Sequence, residues 1–207
     1  MKQEKLIRKF DRQVMMYENN RQNPKLESWR KRVIRDASGN VLEVGVGAGA
    51  NFPYYDKEKI TGITGVDFSS EMIKSSVRAA RRNQINAKFI NQDITTLQIE
   101  SDSYDTIVST LTLCSYPEPI KTLNQFNNWC RKDGRVLLLE HGLSTNGFLS
   151  MTQRVVDPIY RKISGCHCNR NMLKLVEESQ LIIDKVERFW SGIGIIIWAR
   201  PSKLAII

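Results

Sequence analysis

The sequence predicts an α/β domain with a mainly parallel seven-stranded sheet, helices on both faces and an antiparallel hairpin at its C-terminal end. Three observations predict it. Short apolar runs alternate with helical patterns from residue 41 to residue 140, and that alternation is how a parallel sheet is wound. The stretch Val41 to Asn51, VLEVGVGAGAN, leads from a branched apolar strand into three closely spaced glycines, the composition of a tight strand-to-helix turn. The last two apolar runs, Leu181 to Phe189 and Ile193 to Ala199, are separated only by Trp190, Ser191 and Gly192, a link too short for a helical crossover.

In chain order, Leu6, Ile7, Phe10, Val14 and Tyr17 fall at helical spacing between about Glu4 and Glu18, with Lys5, Arg8, Lys9 and Arg12 on other faces. This amphipathic helix is expected to pack on the domain, cover a ligand or touch a membrane. Pro24 suits the first turn of a second helix running to about Asp36, whose run Arg30, Lys31, Arg32 reads as a solvated face. Ser38, Gly39 and Asn40 turn into the first strand, and Ile60 to Phe68 forms a second strand with Asp67 near its end. Ser69 caps a helix with Met72, Ile73, Ser76, Val77 and Ala80 on one face and Arg78, Arg81 and Arg82 elsewhere. A third strand follows at Lys88 to Asn91 and a fourth at Tyr104 to Leu111. The helix Ile120 to Arg131 buries Ile120, Leu123, Phe126 and Cys130, and Asp133-Gly134 turns into a fifth strand, Arg135 to Glu140. Helices near 148 to 162 and 170 to 180 precede the hairpin, and Asn169 is placed to cap the second of them.

The 207 residues, 41% of them apolar, give room for one core, and no repeat or Pro/Gly-rich linker divides them, so 1–207 reads as a single domain. The opening MKQEKLIRKF has charges scattered through it and no continuous apolar run, which predicts no secretory signal; with no apolar stretch long enough to span a bilayer, a cytoplasmic location is expected, peripheral to the membrane if the basic first helix binds it. Four cysteines, at 114, 130, 166 and 168, are then expected as free thiols. Lys and Arg outnumber Asp and Glu by 31 to 22, and the net charge of +9 favours approach to anionic membrane, nucleic acid or acidic substrates. Nucleic acid is the least favoured of these, because the cations are scattered rather than interleaved with stacking aromatics.

A glycine-rich strand-to-helix turn followed by an acid at the end of the next strand binds a nucleoside, with backbone N–H groups on polar ligand atoms and the acid, here Asp67, on the ribose hydroxyls. Gly45, Gly47 and Ala50 also satisfy the G-x-G-x-x-G/A pattern, so a dinucleotide stays open at this point. An acid before the glycines, Glu43, favours a cationic ligand over a pyrophosphate.

The run Glu43-x-Gly45-x-Gly47-x-Gly49-x-Asn51, then Asp67-Phe68-Ser69-x-x-Met72, then Asn91-Gln92-Asp93, resembles the class I S-adenosylmethionine-dependent methyltransferases. The resemblance implies a Rossmann-like sheet of seven strands, S-adenosyl-L-methionine as cofactor and S-adenosyl-L-homocysteine as product. It implies that Glu43 orients the methionine amino group directly or through the glycine loop, that Asp67 binds the ribose diol, that Asp93 with Ile94 holds the adenine, and that Thr110 and Leu111 line the methyl-transfer site.

A narrower resemblance, over Thr110-Leu111-Thr112-Leu113-Cys114-Ser115, Leu139-Glu140-His141-Gly142, Asp157-Pro158 and Gly165-Cys166, is to the methyltransferase type 11 group. That group includes ubiquinone and menaquinone C-methyltransferase relatives and bacterial phospholipid N-methyltransferases, and the late segments are similar to the thiol S-methyltransferase branch. It implies a small, often lipophilic methyl acceptor, with 1–36 as a helical N-terminal cap and 143–168 as an acceptor-side insertion.

Cys114 and Tyr116 follow the fourth strand at the sheet's carboxyl edge and, with Tyr17, are the expected acceptor contacts. His141, just beyond the fifth strand on the same edge, is the expected general base for a thiol, hydroxyl or quinol. Cys166-His167-Cys168 lacks the second ligand pair of a structural zinc site, so no metal is expected there. The alternatives on the same sheet are an RNA methyltransferase, a non-catalytic S-adenosylmethionine-binding regulator and an oxidoreductase.

Overall fold

The computed structural model describes residues 3–21 and 23–203. Its strands are β1 (Gly39–Val44), β2 (Ile60–Asp67), β3 (Ala87–Asn91), β4 (Tyr104–Thr110), β5 (Cys130–His141), β6 (Leu181–Phe189) and β7 (Gly194–Pro201). They form one seven-stranded sheet in the order β3-β2-β1-β4-β5-β7-β6, parallel except for β7, which runs against both neighbours. The helices are α1 (Gln3–Asn19), α2 (Pro24–Ile34), α3 (Ser70–Asn83), α4 (Pro119–Trp129), α5 (Gly147–Ser164) and α6 (Met172–Glu177). The expected fold class, including the terminal hairpin, is the one observed.

The central strands are apolar on both faces because each face carries its own core. Leu42, Ile107, Val136 and Leu138 pack with Leu123, Phe126 and Trp129 of α4, whereas Val41, Val108, Leu137 and Leu139 pack with Val33 and Ile34 of α2 and Ala79 and Ala80 of α3. The period of two along a strand delivers alternate residues to the two cores. The strand order reverses between β1 and β4, and the crevice at the carboxyl ends of these strands is where an open α/β sheet binds ligands.

Three local expectations change. Asp133-Gly134 is not a turn before β5 but part of an irregularity inside it. The pairing jumps from Tyr104–Cys130 to Thr106–Arg135, so the extra β5 residues bulge out. A Cβ on Gly134 would lie 2.7 Å from the Asp105 carbonyl and the Cys130 sulfur, which is why the bulge takes glycine. The cap of α6 is Asn171, whose side chain accepts from the Lys174 N–H at 3.2 Å, rather than Asn169, and the helix is correspondingly shorter. Ser69 caps α3 as expected, accepting from the Met72 N–H at 3.2 Å.

The third change concerns α2. Arg30 is buried with Val33 and Ile34 instead of lying on a solvated face with Lys31 and Arg32. Positions i, i+3 and i+4 share a helical face, and this face meets the sheet. Trp29 stacks on Phe189 at 3.5 Å, Arg32 pairs with Glu187 at 2.8 Å, and Trp198 Nε1 donates to Asp36 at 2.8 Å. These contacts fix α2 against β6 and β7 and so fix where the Arg30 guanidinium enters the crevice.

Candidate active site

An open cavity of about 780 Å³ lies over the carboxyl ends of β1, β2 and β4. Glu43, Gly45, Gly47, Asn51, Asp67, Phe68, Met72, Ile94, Thr110, Leu111, Tyr17 and Tyr116 all line it, so residues singled out from five separate stretches meet in one place. Four expected residues do not line it. Gly49 is buried behind the loop, where a Cβ would fall 2.7 Å from the Phe52 ring and 2.9 Å from Ala79; it serves the packing of the loop onto α3. Asp93 accepts from the N–H and hydroxyl of Thr95 at 2.8 and 2.7 Å, while its neighbours Gln92 and Ile94 face the cavity. Cys114 and His141 turn to another cluster, described below.

The floor is a buried polar network. Glu43 accepts from Asn51 Nδ2 at 2.9 Å and from the Tyr55 hydroxyl at 2.8 Å. Arg30 Nη1 donates to Asn51 Oδ1 at 2.6 Å and Thr110 Oγ1 at 3.2 Å. Arg30 Nε is the one buried side-chain polar atom among the described residues with no hydrogen-bond partner. A buried guanidinium with an unpaired N–H is costly, and Arg30 lines the cavity, so the charge of its guanidinium suits an anionic group on a ligand.

Burial pushes the Glu43 carboxyl up to about 7, against the pull of Tyr55, Asn51 and Arg30. A carboxyl whose folded pKa lies above its unfolded one contributes stability below the unfolded value and loses it as pH rises through the folded value. Glu43→Gln removes that loss. Thermal melts of the ligand-free proteins from about pH 5 to about pH 8 are therefore expected to show the variant gaining on the wild type as pH rises through the Glu43 pKa.

At the β2 end, Asp67 Oδ2 accepts from the Gly47 N–H at 3.0 Å and Oδ1 from the Ser69 N–H at 2.9 Å. Burial raises its pKa to about 6, with the Asp11 charge adding to the shift. Each carboxylate oxygen keeps further acceptor capacity for a diol. Gly45 and Gly47 have φ of +63° and +52°, and a Cβ on Gly45 would drive into the Thr112 side chain. Gly45→Ala is expected to cost about 1–3 kcal/mol, read as a lower denaturation midpoint at unchanged slope.

α1 roofs the cavity with an aromatic wall: Phe10 meets Phe68 edge-on at 5.3 Å and lies 6.1 Å from Tyr17. The roof is tied down by Arg21, whose Nε donates to the Ala48 carbonyl at 2.6 Å, and by Glu18, which accepts from Ser75 at 2.5 Å and Arg78 at 2.8 Å. The Ser75 hydroxyl and Arg78 hold the Glu18 carboxyl down at about 2. Phe10 and Arg30 were not anticipated as site residues. The helical phase of Arg30 with Val33 and Ile34 carried the signal for one of them.

Behind the cavity wall, the donor atoms of Cys114, His141 and Cys166 all lie within 4.8 Å of one another. The Cys114 thiol and the His141 imidazole draw Cys166 well below the ordinary thiol value, while the same partnership and burial push Cys114 well above it. A general base must reach the proton that it takes, and His141 faces these thiols rather than the cavity. Cys166-His167-Cys168 does not converge: His167 Nδ1 pairs with Asp157 at 2.8 Å, and the Cys168 N–H donates to the same carboxylate at 2.8 Å. Glu140, also unanticipated, is buried and accepts from the Thr112 and Leu113 N–H groups and the Ser109 hydroxyl, which shapes the turn that ends β4.

Residues 42–138 match the family described as Methyltransferase domain. The chain is 29% identical over 183 residues to the mitochondrial methyltransferase OMS1 of Saccharomyces cerevisiae, an alignment that covers 79% of the chain and 38% of the yeast protein. It is 29% identical over 167 residues to the thiol S-methyltransferase TMT1B of Rattus norvegicus, covering 75% of the chain and 68% of that protein. The chain thus spans well under half of the yeast relative's length and about two thirds of the rat one's. Among solved structures, a SAM-dependent methyltransferase from Aquifex aeolicus superposes with a TM-score of 0.66 at 14% identity, covering 90% of this chain and 97% of that one, and supports the fold.

Proposed function

The chain belongs to the class I S-adenosylmethionine-dependent methyltransferases, type 11 group, and from that premise we propose that it methylates a small lipophilic acceptor, a thiol before a phospholipid head group or a quinone-like ring. The observation that carries the donor half is the pairing of opposite charges in one cavity: an unpartnered Arg30 N–H and the two acids Glu43 and Asp67. A zwitterionic amino acid joined to a ribose satisfies all three, whereas a pyrophosphate would meet two carboxylates.

When bound, S-adenosylmethionine supplies an electrophilic methyl carbon on its sulfonium. On this reading the Arg30 guanidinium, whose Nη1 is held by Asn51 and Thr110, takes the amino-acid carboxylate. Glu43, whose two oxygens are engaged by Asn51 and Tyr55, acts on the ammonium through its charge and through the loop that it braces. Asp67 takes the ribose hydroxyls, with Phe68, Met72 and Ile94 beside the base. The acceptor half rests on the wall of Phe10, Tyr17, Leu111 and Tyr116, which is mostly aromatic and suits an apolar molecule. The residues of α1 form the acceptor side of the cavity, which no described residue of the 143–168 stretch lines, and the chain's main work is to hold acceptor and sulfonium in line.

The test is a screen with methyl-labelled cofactor against a lipophilic thiol, a quinol, a phospholipid and tRNA, each with wild type and His141→Ala. Label in the thioether first, and in lipid or quinol less, is the expected order. Label confined to tRNA would reverse it, and cofactor binding without transfer to any acceptor would favour the regulator. A pH–rate profile unchanged in His141→Ala would remove that residue as the base.

A further inference from the structure

We propose that Cys114, His141 and Cys166 form a site for a thiophilic divalent cation, with Zn(II) the ion that best fits two thiols and an imidazole, and with a fourth position open. The three donors come from the loop after β4, the end of β5 and the loop after α5, yet they converge within 4.8 Å. Zinc held at about 2.0–2.3 Å by such donors sets neighbouring ligand atoms roughly 3.3–3.8 Å apart, so closure by about an ångström completes the set. The loops are tied to each other: the His167 N–H donates to the Cys114 carbonyl at 2.9 Å, and Arg170 bonds the Leu113 carbonyl. His141 is held at the last register position of β5, opposite Gly194.

Tyr17 lines the cavity and lies within electrostatic reach of Cys166. The open position would take a soft anionic ligand. A thiol bound there would lose its proton to solvent and be held as a thiolate, a role that rests on the methyltransferase reading; metal binding itself does not. The test is Co(II) titration of the reduced full chain, with zinc stoichiometry after dialysis against Zn(II). Thiolate-to-cobalt charge transfer with tetrahedral d–d bands and near-stoichiometric zinc are expected. Both should be lost in Cys166→Ser and in His141→Ala while S-adenosylhomocysteine still binds. No charge transfer and no retained zinc in the wild type, or equal metal in both variants, would overturn the site and leave a metal-free thiolate–imidazolium pair.

A separate observation carries a second proposal: we infer that α5 lies on an anionic bilayer surface. The helix is inside out. Its protein-facing side is polar, with Gln153 bonded to the Ser144 N–H and to the Gly142 and Cys168 carbonyls, and Asp157 bonded to His167 and Cys168. Its outward side carries Phe148, Met151, Val155, Ile159 and Ile163, each at least 64% exposed. Arg154, Arg161 and Lys162 are exposed beside them, and the helix's single acid, Asp157, is buried. An apolar face flanked only by cations matches an anionic membrane interface and opposes a second copy, which would set like charges together.

Lys9 of α1 bonds the Lys162 carbonyl, which brings the exposed Lys5, Arg8 and Arg12 of α1 to the same end. No described helix is long and apolar enough to cross a membrane, so the contact is a surface one. The test is co-sedimentation with phosphatidylglycerol/phosphatidylcholine vesicles and with phosphatidylcholine alone, using wild type and the triple variant Phe148→Ser, Met151→Ser, Ile159→Ser. The expectation is salt-sensitive binding to the anionic vesicles, reduced at least about tenfold in the variant with melting and S-adenosylhomocysteine binding unchanged. Absence of wild-type binding, equal binding by the variant, or a wild-type dimer that the variant dissociates would overturn it.

Discussion

Arg30→Leu is expected to weaken S-adenosylhomocysteine binding about 100-fold, near 3 kcal/mol, the scale of losing a buried charge-assisted contact. The expectation follows from a guanidinium that lines the cavity with only its Nη1 engaged, by Asn51 and Thr110, and its Nε unpartnered. Calorimetry with two ligands isolates it. Methylthioadenosine keeps the nucleoside and lacks the amino-acid part, so its affinity should change little. An equal loss for both ligands would mean that Arg30 only holds the loop. Arg30→Lys, which keeps the charge without the fork, should fall between wild type and Leu and guards against a folding defect.

Asp67→Asn is expected to weaken both ligands alike, by roughly 2 kcal/mol or about 30-fold, because both carry the ribose diol. The substitution keeps one side-chain oxygen as acceptor for the Gly47 or Ser69 N–H, so the loop is less disturbed than it would be by alanine. A pH signature accompanies it. The wild-type carboxyl titrates at about 6, and if the ionised form binds, affinity falls as pH drops below that value, by up to about tenfold per unit. The Asn variant should lose this slope. An Asn variant that retains it would assign the titration elsewhere.

What the sequence disclosed about the fold and the site follows from where the chemistry sits. Glu43 and Asp67 are in or at the ends of strands whose apolar runs are easy to read, and the loop glycines announce themselves by spacing. Arg30 was hidden inside a charge run, although its phase with Val33 and Ile34 already placed it inward. The bulge at Asp133-Gly134 reads as a turn in the sequence because the two share a composition, and only the Tyr104 to Thr106 pairing distinguishes them. Cys114, His141 and Cys166 are far apart in the chain and meet only through the sheet and the α5 loop, so no local spacing could show the cluster. The inverted polarity of α5 is equally a tertiary fact, since the same periodicity describes a helix facing a core.

Donor binding is measured most directly by a calorimetric titration of the full chain with S-adenosylmethionine, repeated with NAD present. Saturable binding that NAD does not displace is expected, because the cavity pairs one unsatisfied guanidinium N–H with two carboxylates. Saturable binding of NAD with no heat from S-adenosylmethionine would contradict it.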